Sequence, residues 1–290
     1  MMLMLTIAIP NYNGGESLVR AVQSCRNIRI PIEMFEILVV DNQSTDDSLS
    51  LLESIKPNYP NLRIERNESN VGRIGNWNRL LDIANGTYMI MLFTNDEIYA
   101  DNKIAESISY MNENDIYLGL SAFVAIEGEK KILGKIYNKD PVTVEGIKFS
   151  LDKLVKDIFP YPFAPIQSNI YSIPQIRHFQ LRFDPTLELN GDQHFTFALA
   201  FRSPQILITP YPQILWHKDS ERFHNKITIQ QVIREDWDLY LRMLSEYHIQ
   251  VDERDAIAAA FKVIIKNDVW SNVDRKEALA FVMELAERCL

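Results

Sequence analysis

Short apolar runs alternate with amphipathic stretches through the first third of the chain, and this alternation constrains the fold more than any other feature. The runs are bounded by turn residues and have the length of buried strands. Strands that alternate with helices form parallel sheets, because right-handed crossover helices cover both faces of the sheet. The pattern predicts an α/β fold, with strands at residues 3–9, 35–40, 62–66 and 88–93 and helices at 16–27, 46–55, 73–84 and 101–111.

Asparagine and aspartate crowd the segments that follow three of these strands, at residues 10–15, 41–44 and 94–97. In open parallel sheets, ligands bind beyond the carboxyl ends of the strands. We therefore expect the three loops to converge on one polar crevice. Two local details are predicted as well: Ser44 is the N-cap of the second helix, and Asn85-Gly86 ends the third.

Charge and cysteine content exclude several classes of protein. Lys and Arg total 30 against 39 Asp and Glu, so the formal net charge of −9 argues against a general affinity for nucleic acid. Two cysteines exclude a disulfide framework and a cysteine-rich zinc site, and Cys25 is predicted to be buried. The sequence shows neither a signal peptide nor a long apolar run, which predicts a cytoplasmic protein, with association at the inner face of a membrane left open.

The chain changes character along its length. The middle is less regular and includes a predicted edge hairpin at residues 127–132, whereas the tail from residue 225 has helical periodicity. Apolar residues in the tail suggest homo-oligomerisation, which we rank above membrane docking because the chain is acidic. The predicted organisation is one domain at 1–222, with a nucleotide-binding half at 1–110 and an acceptor-binding half at 111–222, followed by a helical extension at 223–290.

The chain lacks the glycine-rich phosphate-binding fingerprints. Neither G-x-G-x-x-G nor G-x-x-x-x-G-K-[ST] occurs, and there are only 10 glycines. Gly14-Gly15, after the first strand, is typical of a turn. A bound nucleotide would therefore be held by side chains and a metal ion.

Four segments of the first third resemble a known family in their order and spacing. Residues 7–13 read Ile-Ala-Ile-Pro-Asn-Tyr-Asn and resemble the opening motif of family 2 glycosyltransferases with the GT-A fold. Residues 36–46 resemble the second motif, 70–78 the third, and 84–96 the approach to the metal-binding DXD motif. The resemblance implies a GT-A-like, Rossmann-type mixed sheet, mainly parallel and flanked by helices, which the helical C-terminal extension follows.

The resemblance implies a donor site for a nucleotide-diphosphate sugar such as a UDP-sugar. In the family, the counterpart of Asp41 accepts a hydrogen bond from the base. Asn11 and Tyr12 would line the base pocket, and the guanidinium of Arg73 would bind the base or a phosphate. The predicted nucleotide-sugar-binding residues are Pro10, Asn11, Tyr12, Asp41, Arg73, Asn78, Asn95 and Asp96.

The metal motif departs from the family pattern. Phe93 and Asn95 stand where aspartates are usual, and Asp96 matches the last acidic position. Residues 216–220 resemble the closing segment, whose histidine often meets the metal or the diphosphate. The resemblance therefore implies Mn²⁺ or Mg²⁺ held by Asp96 and His217, more weakly than by a pair of aspartates.

A second stretch resembles the helix start beneath the acceptor. Asp192 matches the family's general base, although Gly191 stands where glutamate is usual. His194 is a rival base, and residues 161–169 lie where acceptor contacts are expected. The predicted catalytic residue is Asp192, and the predicted acceptor-binding residues are Gln167, Asn169 and His194.

These observations predict an enzyme that transfers a sugar to an acceptor hydroxyl, inverting and metal-dependent, in cell-surface polysaccharide or glycan biosynthesis. The partners implied are the donor and a glycan or lipid-linked acceptor. One alternative is a non-catalytic subunit that binds a nucleotide sugar or glycan, which the degenerate metal motif favours. Another is a nucleotidyltransferase, which would need a basic glycine-rich loop after the first strand, and residues 10–15 contain no Lys or Arg.

Overall fold

A computed structural model describes residues 3–134, 165–217 and 229–247, and residue 280. Within these ranges, nine strands form a single sheet. The strands are β1 (Leu5–Asn11), β2 (Phe35–Asp41), β3 (Leu62–Arg66), β4 (Tyr88–Met91), β5 (Glu97–Ile98), β6 (Leu118–Glu127), β7 (Lys130–Gly134), β8 (Asn169–Ser172) and β9 (Ile206–His217). The helices are α1 (Gly15–Ser24), α2 (Ser48–Ile55), α3 (Gly72–Ile83), α4 (Ile104–Glu113), α5 (Ile173–His178), α6 (Gly191–Arg202) and α7 (Ile229–Glu246).

The first half of the sheet is parallel, as the alternating pattern predicts. Its strands lie in the order β3-β2-β1-β4, and each neighbouring pair is parallel. Every residue of β2 is buried, as expected for a central strand whose two faces are covered. The prediction of alternating strands and helices is confirmed, with boundaries that differ by a few residues.

The second half makes the sheet mixed. Strand β8 joins β4 in antiparallel orientation, β6 follows it, and β9 lies parallel to β6 with β5 beyond. Strands β6 and β7 form a hairpin in which Glu127 pairs with Lys130, so the predicted edge hairpin is confirmed. The longest ladder, of nine residue pairs, is the parallel one between β6 and β9. The predicted α/β fold, a mixed and mainly parallel sheet flanked by helices, is confirmed as well.

Ser44 does not have the capping role that the sequence predicted. Helix α2 begins at Ser48, and Asp47 is its N-cap residue. The Ser44 hydroxyl instead accepts a hydrogen bond from the backbone N–H of Asn13 at 2.8 Å. The prediction was wrong because the hydroxyl found a partner in the loop after β1 rather than in its own helix.

Gly86 is also not the helix terminator that was predicted. Helix α3 ends at Ile83, and Ala84 follows in an extended conformation. The segment after it runs directly against β1: a Cβ on Gly86 would lie 2.5 Å from the Thr6 backbone nitrogen and 2.6 Å from the Leu5 carbonyl carbon. Glycine is needed here for close backbone approach and not for a left-handed turn.

We expect Gly86→Ala to lower the free energy of unfolding by about 3 kcal/mol, the upper end of the usual cost of overpacking, because backbone atoms cannot rotate away. Urea denaturation measures the change. Gly128→Ala is the control, because an added Cβ there meets open space and only the backbone angle φ of +58° is unfavourable. We expect this variant to lose about 1 kcal/mol of unfolding free energy through backbone strain alone. Equal losses in the two variants would contradict the close-approach explanation.

The chain divides into two compact units. The first comprises residues 1–148, 163–185 and 195–218, and the second comprises 149–162, 186–194 and 219–290. Helix α7 lies within the predicted helical tail, and the rest of that tail lies outside the described residues apart from residue 280, which is helical. The boundary predicted near residue 222 stays a prediction, because it too lies outside them.

Two remaining predictions concern burial and membranes. Cys25 is buried, and burial raises the pKa of its thiol far above the ordinary value, so it behaves as an inert core residue. Cys289 lies outside the described residues. None of the helices in the described ranges has the length and apolar character that crossing a membrane requires.

Candidate functional site

Three polar side chains form a row at the carboxyl ends of neighbouring strands. The sheet register pairs Asn11 of β1 with Asp41 of β2, and Asp41 with Arg66 of β3. Because the three strands are parallel, their last residues lie at the same edge of the sheet. This is the edge at which the sequence predicts a ligand site.

Asp41 lies at the centre of the row and is enclosed by its neighbours. Its Oδ1 accepts a hydrogen bond from Asn11 Nδ2 at 2.8 Å, and its Oδ2 accepts one from the Ser44 backbone N–H at 3.1 Å. The Nε of Arg66 lies 3.4 Å from the same Oδ2. The side chain of Asp41 is 0% exposed, whereas that of Arg66 is 49% exposed. Arg66 is therefore the member of the pair that faces solvent, and the sequence analysis missed it.

Asn11 is buried, and both ends of its amide group make hydrogen bonds. Nδ2 donates to Asp41 and to the Ser44 hydroxyl, and Oδ1 accepts from the Gly14 backbone N–H at 3.2 Å. The place of Asn11 in the base pocket stays a prediction. Asn11 holds Asp41 and the turn after β1 in place.

The loops after β1 and β4 meet, as predicted. A Cβ on Gly14 would lie 2.5 Å from Asn11 Oδ1 and 3.0 Å from Thr94 Cγ2. Pro10 and Asn95 are half-buried, and Tyr12 is 54% exposed. Convergence of the three polar loops is confirmed, and it leaves the Tyr12 ring available for stacking.

A network of asparagines connects the end of β2 with the start of α3, and the sequence analysis missed it too. Asn42 Oδ1 accepts from Asn67 Nδ2 at 2.9 Å and from the Val71 backbone N–H at 3.0 Å. Asn42 Nδ2 donates to Asn70 Oδ1 and to the Gly72 carbonyl. The network fixes the loop that presents Arg73. The density of asparagine in 67–78 was the available signal.

Arg73 and Phe93 both contact Trp77. The Arg73 guanidinium lies over the Trp77 ring at 5.0 Å from its centroid, and the Phe93 ring stacks with Trp77 at 5.4 Å. Phe93, which stands where the family motif usually has an aspartate, is therefore a packing residue. Arg73 is exposed, with its side chain supported by the indole.

Asn78 holds another part of the backbone. Its Nδ2 donates to the Phe183 carbonyl, and its Oδ1 accepts from the Phe183 backbone N–H, both at 2.9 Å. Each end of the amide makes one hydrogen bond to Phe183, and the role of Asn78 as a nucleotide contact stays a prediction.

Asp96, Glu97 and His217 come together where β5 pairs with the end of β9. Asp96 is 2% exposed, and its Oδ1 accepts from the His217 backbone N–H at 3.2 Å. The His217 ring Nε2 lies 3.0 Å from Glu97 Oε1. The predicted metal ligands Asp96 and His217 are thus neighbours, although they lie 121 positions apart in the sequence.

The donor set suits a hard cation only in part. Asp96 supplies oxygen, the preferred ligand of Mg²⁺ and Mn²⁺, while the His217 ring nitrogen is engaged by Glu97. Within residues 3–134, 165–217 and 229–247, no group of three or more His, Cys, Asp or Glu side chains is placed to hold a metal ion. A cation here would therefore need oxygen atoms from its ligand or from water.

The predicted acceptor residues of the first unit lie largely inside it. Asn169 is buried, and its Nδ2 donates to the Tyr171 hydroxyl at 2.9 Å, which in turn lies 3.0 Å from Thr196 Oγ1. Gln167 is buried in the short 3-10 turn before β8. The contacts of Gln167 and Asn169 with an acceptor stay predictions, and the segment 161–164 lies outside the described residues.

Asp192 and His194 belong to the second unit. Asp192 lies in the first turn of α6, and its Oδ1 accepts from the Gln193 backbone N–H at 2.9 Å. His194 Nε2 lies 3.0 Å from Glu246 Oε2 of α7. Glu235, also on α7, accepts hydrogen bonds from the backbone N–H groups of Leu189 and Asn190, which precede α6. The bond from Asn190 is 2.6 Å long. Helix α7 therefore holds the segment that presents Asp192.

Comparison with protein families identifies the fold and its family. The model of the family described as glycosyl transferase family 2 matches residues 6–173, more than half of the chain. The chain belongs to glycosyl transferase family 2. The matched segment contains the Asn11–Asp41–Arg66 row, Arg73 and Asp96. The match also disfavours the alternative that the protein is a nucleotidyltransferase.

Curated relatives of this family 2 chain include bacterial enzymes. A poly(ribitol-phosphate) beta-glucosyltransferase of Bacillus spizizenii is 26% identical over 207 residues, which cover 71% of this chain and 31% of that protein. A PGL/p-HBAD biosynthesis glycosyltransferase of Mycobacterium bovis is 28% identical over 112 residues, 39% of this chain and 43% of that protein. The aligned segments thus span less than half of either relative.

Solved structures share the fold. Staphylococcus aureus TarS 1–349 in complex with UDP-GlcNAc superimposes with a TM-score of 0.67 at 17% identity, over 90% of this chain and 72% of that chain. The mannosyltransferase PcManGT of Pyrobaculum calidifontis, in complex with GDP-Man and Mn²⁺, has a TM-score of 0.61 at 13% identity, over 99% and 81% of the two chains. At these identities the likeness establishes the fold, and the predicted GT-A-like architecture is confirmed.

Proposed function

We propose that this protein transfers a sugar from a nucleotide-diphosphate sugar to an acceptor hydroxyl. The observation that carries the proposal is the polar edge of the parallel sheet, where Asn11, Asp41 and Arg66 stand in a row on a family 2 chain. Ligands of α/β sheets bind at this edge. The relative that acts on poly(ribitol-phosphate) suggests a cell-surface glycopolymer as the acceptor.

The donor would lie along the three converging loops. The exposed ring of Tyr12 offers a face for stacking, and the exposed guanidinium of Arg73 offers a charged donor fork for phosphate. Pro10 and Asn95 belong to the same loops. The side-chain amide of Asn95 would form a hydrogen bond with a ribose hydroxyl. Asn11, Asn42 and Asn78 act by holding these loops in place.

A divalent cation is part of the proposal, with Asp96 as its protein ligand and His217 beside it. The structural neighbour PcManGT is described with Mn²⁺. When bound, such a cation would neutralise negative charge on the departing diphosphate. The buried carboxylate of Asp96 is kept in orientation by the His217 backbone N–H.

Asp192 would be the general base of an inverting reaction. The acceptor oxygen would form a bond to the anomeric carbon on the face opposite the diphosphate. The bond between that carbon and the diphosphate oxygen would break, and its electron pair would leave with the diphosphate. The proton of the acceptor hydroxyl would pass to the Asp192 carboxylate. The location of Asp192 at a helix start held by Glu235 supports a fixed position for this group.

A non-catalytic binding subunit is the second candidate, and the residues at positions 93 and 95 favour it. Phe93 packs against Trp77 instead of offering a carboxylate, and Asn95 is uncharged. Such a subunit would bind the donor without turning it over. Release of nucleoside diphosphate from a bound donor distinguishes the two candidates.

We expect the thermal midpoint of the protein to rise with one class of donor from a panel of UDP-, GDP-, dTDP- and CMP-sugars, each with and without Mn²⁺. A ligand present at 100 times its Kd stabilises the native state by about 2.7 kcal/mol. No shift with any donor at millimolar concentration would contradict the proposal.

A further inference from the structure

We infer that two adjacent acids of α7, Glu235 and Asp236, are positioning residues that keep the proposed general base Asp192 in its reactive orientation. They act through Asn190, the residue immediately before α6. The inference rests on the proposed role of Asp192 and adds the residues that hold the base in place. All four residues belong to the second compact unit.

The first step is the fixed position of Asn190, which is 5% exposed. Its backbone N–H donates to Glu235 Oε1 and its side-chain Nδ2 donates to Asp236 Oδ1, both at 2.6 Å. Its carbonyl oxygen accepts from the His194 backbone N–H at 3.0 Å, which has the four-residue spacing of an α-helical bond. Two bonds therefore attach Asn190 to α7, and the third makes it part of the start of α6.

The second step is the direction from which the two acids hold this segment. Glu235 Oε1 also accepts from the Leu189 backbone N–H, so one carboxylate holds two successive amides. Successive residues of a helix point about 100° apart. Glu235 and Asp236 therefore contact residues 189–190 from different directions, which restricts both translation and rotation of the segment.

The third step is the burial of Asp236, which is 1% exposed. A carboxyl group removed from water is costly unless hydrogen bonds replace its lost solvation. The bond from Asn190 supplies part of that compensation. Displacing Asn190 would take a donor away from a buried acceptor, and this penalty is larger than the net gain from an ordinary hydrogen bond. The contact therefore opposes movement of the segment.

The fourth step connects this segment to the proposed chemistry. Asp192 lies two residues beyond Asn190, in the first turn of α6, and its Oδ1 accepts from the Gln193 backbone N–H at 2.9 Å. The carboxylate therefore moves with the start of the helix. A general base must lie within about 3 Å of the oxygen whose proton it removes. Misplacement by about 1 Å can lower a rate by about 100-fold.

Two variants test the inference by kinetics. Asp236→Ala should lower kcat by about 10- to 100-fold and leave the affinity for the donor unchanged, because only the orientation of the base is lost. Asp236→Asn keeps an oxygen that accepts from Asn190, so it should recover kcat to within about threefold of the wild type. Recovery by this variant is expected of a hydrogen-bonding role. Steady-state kinetics and calorimetric titration of the donor measure the two quantities.

A second variant and a control keep the test independent of stability. Glu235 is half-buried, so Glu235→Ala should fold even if Asp236→Ala does not, and it should lower kcat by the same order. Asp238 is an exposed acid of the same helix, and Asp238→Ala should keep the wild-type kcat. Circular dichroism and thermal midpoints verify that each variant is folded. Wild-type kcat in folded Asp236→Ala and Glu235→Ala would overturn the inference.

A double-mutant cycle separates positioning of the base from a general structural role. If Asp236 acts through Asp192, its loss should matter little once the base is gone. In an Asp192→Asn background, Asp236→Ala should lower the residual kcat by less than about twofold. An equal loss in both backgrounds would overturn the inference and leave Asp192 as the proposed base. Wild-type kcat in Asp192→Asn alone would overturn the proposed base and the inference together.

Discussion

Asp96→Ala is expected to lower kcat/KM for sugar transfer by about 1,000-fold, the upper end of the effect of removing one preorganised charge-stabilising group. The residue is almost completely buried, and its carboxylate is oriented by the His217 backbone N–H. Within the described residues it is the buried acid of the proposed metal site. Initial rates at saturating Mn²⁺, with the donor class found by thermal shift, measure the loss.

A second readout separates this effect from loss of folding. The Mn²⁺-dependent part of the donor-induced thermal shift should disappear in Asp96→Ala. Asp96→Asn keeps an oxygen that can accept the His217 N–H, so it should fold normally and still lose most of the activity. Asp101→Asn is the matched control, because this exposed carboxylate pairs with Arg29, and it should keep the wild-type activity. Full activity in Asp96→Asn would contradict the metal role.

Asp192→Asn is expected to lower kcat by 100- to 10,000-fold, the range over which general bases contribute, while leaving the affinity for the donor unchanged. The amide has nearly the same shape and can still accept the Gln193 backbone N–H, so the start of α6 should persist. It cannot take up a proton from the acceptor hydroxyl. Steady-state kinetics and calorimetric titration of the donor measure the two quantities separately.

The control for this prediction lies on α7. Asp238 is exposed, and Asp238→Asn changes the net charge by the same amount without touching the segment before α6. It should retain wild-type kcat. If Asp192→Asn also retained wild-type kcat, the base would have to be sought elsewhere, with His194 as the first alternative.

Local patterns in the sequence were enough to predict the parallel half of the sheet and the location of its polar edge. Each apolar run has the length of one buried strand, and each amphipathic stretch covers it from one side, so neighbouring residues carry the information. Convergence of the loops at residues 10–15, 41–44 and 94–97 then follows from parallel topology. The family motifs depend on the same short segments.

The roles of individual side chains at that edge depended on contacts between residues distant in sequence. Ser44 was expected to cap its own helix but bonds to Asn13, and the amide of Asn78 bonds to the backbone of Phe183, 105 positions away. A polar side chain takes whichever partner the packed chain brings to it, because an unpaired buried polar group is costly. Local sequence cannot name that partner.

Arg66 illustrates the same limit from the functional side. In the sequence it is only the last residue of an edge strand, and the motif analysis points to Asp41 as the group that meets the base. Pairing of β2 with β3 places the arginine over the aspartate and leaves the cation, not the anion, facing solvent. The strand pattern thus predicted which edge of the sheet is polar, whereas cross-strand packing decided which charge faces solvent there.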